Sequence, residues 1–227
     1  MMQKGGALRD LYIFGVGQFA EVARFYFEKD DNYRVKFFCV DAEYVSSASF
    51  EGVDVISVEE LEKLPKPSDA WFFVAVGYSS MNDVRRRNVE RLADFELKPA
   101  SYISPAANVL TNQDLSKVRH LFILEGNVIQ YGTKIGQNVV LWSGNHLGHH
   151  STIGENSFLS SHVTISGNVT VGAGSFLGVN STVADGVSIG PKCFVGAGAI
   201  VSKDLAGGSL VVSRGNQKII ENGAIFI

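Results

Sequence analysis

The stretch GHHSTIGENSFLSSHVTISGNVTVGAGSFLGVNSTV, residues 148–183, decides the fold, because every sixth residue in it is aliphatic: Ile153, Leu159, Ile165, Val171, Leu177 and Val183. Counted outward, the same phase runs from Ile123 through Ile129, Ile135, Leu141 and Leu147, and on to Ile189, Val195 and Val201, fourteen positions in all. The next residue is Gly, Ala or Ser in eleven of the fourteen. A fixed period dictates architecture before any local propensity does. Six residues are too few for a strand, a crossover and a return, but they suit a short strand plus a corner, so three units close a triangular coil of 18. The aliphatic side chain fills the axis, and the small residue beside it keeps the corner tight. Coils then stack by parallel ladders, with residues 18 apart in the chain lying one above another.

A chain of 227 residues is long enough for two modest domains, each with its own core. Its 45% apolar content, 19% charge and net charge of -3 describe a soluble globular protein without the basic excess that phosphate backbones attract, so no nucleic-acid partner is expected. The opening MMQKGGALRDLYIFGVG reaches its first apolar run already interrupted by Gly15 and Gly17. That gives neither a signal-peptide core nor an apolar span of ~18 residues, and a cytoplasmic location with no membrane partner is expected. Cys39, in a predicted strand, and Cys193, at an inward repeat position, read as small hydrophobes and not as a disulfide.

The first half reads differently. LYIFGVGQFAEVARFYFEK is a short apolar strand, a glycine turn and an amphipathic helix, and VKFFCVDAE is a second strand ending at Asp41. The turn has the pattern G-x-G-x-x-A at Gly15, Gly17 and Ala20, which lets backbone approach phosphates at a helix N-terminus. SVEELEKL begins with Ser57 and Glu60 as a capping box, WFFVAVG is a buried strand reaching Gly77, a helix lies around MNDVRRRNVERLADF, and LKPASYI is the last strand. About 100 residues precede the repeat, half of a two-lobed dinucleotide domain, so a single nucleotide joined to a sugar suits it better than a dinucleotide.

The aliphatic-then-small period resembles the hexapeptide-repeat acyltransferases, whose fold is a left-handed parallel β-helix. Over essentially the whole chain, GVGQFAEV, VDAE, the GYSSMND turn and the block at 148–183 are similar to the NeuD/PglD family of sugar acyltransferases. The resemblance implies a Rossmann-like nucleotide-sugar domain over residues 1–103, an acyltransferase β-helix over 104–214 and a tail over 215–227 with no assigned role. It also implies acetyl-CoA as acyl donor without a metal, a nucleotide-linked amino sugar of bacterial surface glycans such as O-antigen as acceptor, and a homotrimer with active sites between subunits.

By the same resemblance His149 is the general base and Gly167, one coil above it, offers its amide to the thioester oxygen. Where the PglD-like pattern has an acidic residue after the base, this chain has His150, with three roles open: contacting substrate, orienting His149, or facing solvent. Phe19 stands in place of a nucleotide-contacting His, and Ala42 in place of a second acidic residue. The nucleotide sugar is expected at Gly15, Gly17, Gln18, Asp41 and Gly77, and acetyl-CoA at Gly167, Gly178, Asn180, Ala197 and Gly198. Asn145, His146 and His162 are further candidates, although Asn127 and Asn145 also read as a buried ladder in which stacked amides satisfy one another. Gamma-class carbonic anhydrases hold zinc on this helix through two imidazoles five residues apart plus a third, and no two of His120, His146, His149, His150 and His162 have that spacing. O-acetylation of a sugar hydroxyl and a non-catalytic nucleotide-sugar scaffold are the alternatives to N-acetyl transfer.

Overall fold

The computed structural model describes residues 8–29, 32–65 and 69–213, so the tail over 215–227 lies outside the described residues. The first region contains β1 (Arg9–Phe14), α1 (Gln18–Lys29), β2 (Tyr33–Val40), β3 (Ser49–Phe50), β4 (Val53–Ser57), α2 (Val58–Lys63), β5 (Trp71–Val74), α3 (Asp83–Ala93) and β6 (Lys98–Pro99). They form one sheet in the order β3-β4-β2-β1-β5-β6, parallel except for the β3–β4 pair. Without the short β3, that is the doubly wound order, reversing between β1 and β5. Leu11 and Ile13 pack with α1 on one face, while Tyr12 and Phe14 pack with α2 and α3 on the other. Both faces are covered, which is why β1 reads as an unbroken apolar run. The capping box of α2 is present, with Ser57 Oγ accepting from Glu60 N at 3.1 Å and Glu60 Oε2 accepting from Ser57 N at 2.7 Å.

The second region is a triangular prism of two-residue strands in three parallel sheets, an arrangement that fits a left-handed β-helix following an α/β region. Its axis holds the aliphatic positions from Ile123 to Val201. The register holds at 18 from Phe122 to Val201, as in Val140↔Phe158 and His146↔Thr164. The expected last strand, LKPASYI, is not one strand: Lys98–Pro99 completes the α/β sheet, whereas Tyr102–Ile103 already pairs with Phe122–Ile123 in the prism. Pro99 has no N–H with which to continue a ladder, and the chain changes sheets just beyond it. That lowest coil has a spacing of 20, from Tyr102 to Phe122, because residues 110–121 loop out around a short 3-10 turn at Leu115–Lys117. Both cysteines are buried and unpaired, and burial raises the Cys39 thiol above its ordinary range.

The α/β region docks on one face of the prism through rings. Phe122, Phe158 and Phe176, which point outward from their strands, meet Phe19, Tyr26, Tyr78 and Phe73, and Phe194 extends the layer by stacking on Phe176. A polar lock sits beside this layer. Arg85 is fully buried, and among the described residues it has no carboxylate partner. Its guanidinium donates to Gly77 O, Asn82 Oδ1, Asn138 Oδ1 and the carbonyls of Asn138, Asn156 and Ser157, at 2.9 to 3.3 Å. Five donors in a rigid fork can satisfy that many carbonyls from two regions at once. Burial pushes the Arg85 pKa down to about 9, which leaves it a cation at neutral pH. Asn138 Oδ1 also accepts from His120 Nδ1 at 2.8 Å, and His120 Nε2 accepts from Val74 N at 2.9 Å. Burial first, and then the charge of Arg85, depress the His120 pKa to about 3, so it is held neutral.

Replacing Arg85 with Ala should therefore lower stability by about 3 kcal/mol or more, because several buried carbonyls lose their donor. Urea unfolding followed through Trp71 and Trp142 would measure the change, and an unchanged midpoint would sink this account of the docking. His120 has a native pKa below its unfolded value of ~6.5, so the unfolded chain takes up the proton first. The stability it contributes is present above ~6.5 and is lost as pH falls toward about 3. His120→Gln should flatten that part of a stability-against-pH curve.

Candidate active site

Passing once round a coil from Leu141, the chain turns at Ser143–Gly144, runs through Leu147, turns at His149–His150, runs through Ile153 and turns at Glu155–Asn156 before reaching Leu159. The face at 141 and 159 is the one on which the α/β region docks, and Arg85 and Asn82 grip the corner at Asn156 and Gly174. The corner of His149 is thus the vertex opposite its own chain's α/β region.

That vertex is a column of Tyr131, His149, Gly167 and Asp185. A Cβ placed on Gly167 would stand 2.7 Å from His149 Nε2 and 2.8 Å from Asp185 Oδ1. The space above His149 is thus bounded by its own ring and by a carboxylate, which together flank a notch at Gly167, itself buried. The Gly167 N–H meets no acceptor among the described residues. His149 is exposed, and its backbone N–H donates to Gln130 Oε1 at 2.9 Å.

Of the three roles open to His150, geometry favours orientation. Its Nδ1 lies 3.2 Å from His149 Nδ1, so in a neutral pair one nitrogen donates and the other accepts. With the proton on His149 Nδ1, donated to His150, the Nε2 facing the Gly167 notch carries the lone pair. His150 itself adopts φ 57°, and its ring turns down over Gly132 and against Tyr131.

The other candidates fall elsewhere. Gly178, Asn180, Ala197 and Gly198 belong to the side and corner of Gly144, with Asn180, Ala197 and Gly198 exposed there and open space beside Gly198. Gly178 is needed by the fold, because a Cβ there would stand 2.6 Å from Ala197 N. His162 shares that corner and lays its ring over Gly144, while His146 is half-buried in its strand beside Thr164. Asn145 is buried, donating to Trp142 O at 2.6 Å and accepting from Val163 N at 2.8 Å. Asn127 donates to the same Trp142 carbonyl, so the two amides meet on backbone and do not form the expected ladder with each other. Among the described residues no three His, Cys, Asp or Glu side chains gather closely enough to hold a metal.

In the α/β region Gly15, Gly17 and Gln18 form the turn into α1, and Gly77 follows β5, so both lie at the reversal between β1 and β5. Gly15 has φ 122°, and a Cβ there would stand 2.9 Å from Ala75 O. Asp41 follows β2 and already accepts from Arg91, which also holds Glu59 at 3.0 Å. Phe19 turns away from this reversal to pack on Phe73, Phe122, Trp142 and Phe158. Sequence reasoning missed Gln130 and Asp185, although Asp185 is 18 residues beyond Gly167 and the period could have found it.

A family model described as the bacterial transferase hexapeptide (six repeats) matches residues 132–167, and one described as the hexapeptide repeat of succinyl-transferase matches 168–203. The acetyltransferase domain of PglB from Neisseria gonorrhoeae is 21% identical over 93% of this chain and 100% of its own, with a TM-score of 0.76. A mutant of perosamine N-acetyltransferase from Caulobacter crescentus, in complex with CoA and GDP-perosamine, is 25% identical over 90% of this chain and 93% of its own, at 0.78. WeeI from Acinetobacter baumannii is 17% identical over 91% and 98%, also at 0.78. The resemblance holds: the chain has the repeat and the fold of NeuD/PglD-type sugar acyltransferases. The repeat and these neighbours also bear out the expectation of an acyltransferase. No curated protein matches the chain by sequence. No helix among the described residues is long and apolar enough to cross a membrane.

Glycines of the fold and of the site should separate experimentally. A Cβ on Gly148 would meet Ser166 C at 2.4 Å, a backbone atom that cannot yield, so Gly148→Ala should unfold the prism locally and lower Tm. On Gly167 the three nearest atoms would be movable side-chain ends, so Gly167→Ala should keep Tm and lower acyl transfer by ~10²-fold through displacement of His149. Equal losses of Tm in the two variants would show that Gly167 serves the fold alone.

Proposed function

We propose that the chain transfers the acetyl group of acetyl-CoA to the amine of a nucleotide-linked sugar, with His149 as general base. The observation that carries this is the exposed His149 ring, fixed at Nδ1 by His150 and presenting Nε2 at the notch over Gly167. A sugar amine arrives mostly as ammonium and cannot attack until it loses a proton, and imidazole is suited to accept one near neutral pH. The nitrogen gives up two protons in all. One leaves before attack on the thioester carbon; the second leaves as the tetrahedral adduct collapses and expels the thiolate. One proton goes to that thiolate through His149, and the other passes to solvent. The Gly167 amide, without an internal acceptor, is the donor proposed for the developing oxyanion. His150 takes the orienting place that the acidic neighbour has in the PglD-like pattern.

For the nucleotide, the glycine turn at Gly15 and Gly17 precedes the N-terminus of α1, where backbone N–H groups favour a diphosphate, and Asp41 and Gly77 flank the same reversal. This reading agrees with the CoA and GDP-perosamine held by the Caulobacter enzyme. His149 stands at the vertex opposite the face on which its own α/β region docks, so in this reading a nucleotide sugar held by one chain is served by the His149 of another copy, in keeping with the expected trimer with sites between subunits. The pantetheine arm of acetyl-CoA would follow the open backbone at Asn180, Ala197 and Gly198. A non-catalytic scaffold gives no reason for an exposed imidazole seated on a glycine.

The test is release of free thiol from acetyl-CoA in the presence of UDP-, dTDP- and GDP-linked amino sugars. Turnover is expected with one of them, falling by ~10³-fold in His149→Ala. Turnover that survives the substitution would move the base elsewhere, and silence across the whole panel by a folded protein would overturn the proposal.

A further inference from the structure

Asp185 has no role in the reading above, and neither the fold nor the turn explains it. It is exposed, and among the described residues its carboxylate makes no hydrogen bond and no ion pair. It precedes Gly186 in a corner where φ is +71°, a setting in which Asp commonly bonds the turn's own N–H groups. No such bond forms here, and Lys203, 18 residues further along the chain, is not paired with it either. The carboxylate turns instead toward the notch over Gly167, where Oδ1 and His149 Nε2 each lie within 2.8 Å of one point. That point is the place a Cβ on Gly167 would take, so the two groups border the same notch without pairing with each other.

Resting on the acyl-transfer reading, we propose that Asp185 selects the amine: its carboxylate receives the substrate ammonium across Gly167 from His149. One nitrogen there donates to Nε2 and to Oδ1 together, so the positive charge has a partner both while it sits on the substrate and after the proton has moved to the imidazole. Charge-assisted hydrogen bonds of this kind are about twice as strong as neutral ones. A hydroxyl acceptor carries no charge and donates a single hydrogen, which can satisfy His149 or Asp185 but not both. The site is therefore selective for an amino sugar over the corresponding alcohol.

The experiment compares wild type, Asp185→Asn and Asp185→Glu with the amino sugar that wild type uses, and with the same nucleotide sugar carrying a hydroxyl in place of the amine, as a competitive inhibitor. In Asp185→Asn the KM for the amino sugar should rise by about tenfold or more, while the inhibition constant of the hydroxyl compound and the KM for acetyl-CoA stay unchanged. Asp185→Glu should recover part of the loss. An unchanged KM for the amino sugar, or equal weakening of the amino and hydroxyl compounds, would overturn the assignment. If His149→Ala still abolishes turnover in that case, the acyl-transfer reading stands without it. If wild type acetylates no amino sugar, both fall together.

Discussion

Each coil lies on the next with its backbone ladder in register, so the neighbours of any corner residue are the residues 18 before and 18 after it. Everything else follows from that stacking. A side chain at a corner cannot be judged by its sequence neighbours, because what it touches comes from another turn of the coil. His149 meets Gly167, His162 meets Gly144 and His150 meets Gly132, all across coils. The glycines are what make room for those imidazoles. Inward serines do comparable work on the backbone: Ser151 Oγ donates to Ser166 O at 2.9 Å and accepts from Val169 N at 3.1 Å, so a polar atom inside the corner is satisfied twice.

The join between the two regions obeys a different rule. Rings supply the area, and Arg85 supplies the register, because its donors fit carbonyls from α3's own turn and from two coils of the prism. A cation buried among neutral oxygens is costly unless every donor is used. Here every bond the guanidinium makes goes to a carbonyl or amide oxygen, and His120 is kept neutral beside it by the same burial. Asn82 completes the join, bonding Gly174 O from a left-handed backbone at φ 65°.

The prism was legible in the sequence because its period is strict and involves apolar residues alone. The β1 turn and the α2 capping box were legible because they are local. Arg85 was not, since Arg85, Arg86 and Arg87 are indistinguishable until one of them is known to face the other region. The docking face was legible in principle: Phe158, Phe176 and Phe194 recur every 18 residues at a position that faces water in an isolated prism. Reading for the inward residue hides the outward one. His149 stood out by resemblance, whereas its setting depended on rotamers: His150 bonding Nδ1 and Asp185 turning inward are choices that spacing does not encode. The asparagines misled for a related reason, since vertical alignment brought Asn127 and Asn145 close but gave both a better acceptor in Trp142 O.

The loop at 110–121 and the spacing of 16 between Phe194 and Leu210 are the places where the period breaks, and both lie at an end of the prism. A terminal coil has a neighbour on one side only, so a changed length there shifts no column. Within 123–201 a single inserted or deleted residue would slide every later side chain off its partner and turn axis residues outward. Change in the central coils is thus confined to substitution at fixed length, and novelty in chain length has room only at the two rims. A lineage carrying this scaffold would alter its chemistry one corner residue at a time while lengthening or trimming at its ends.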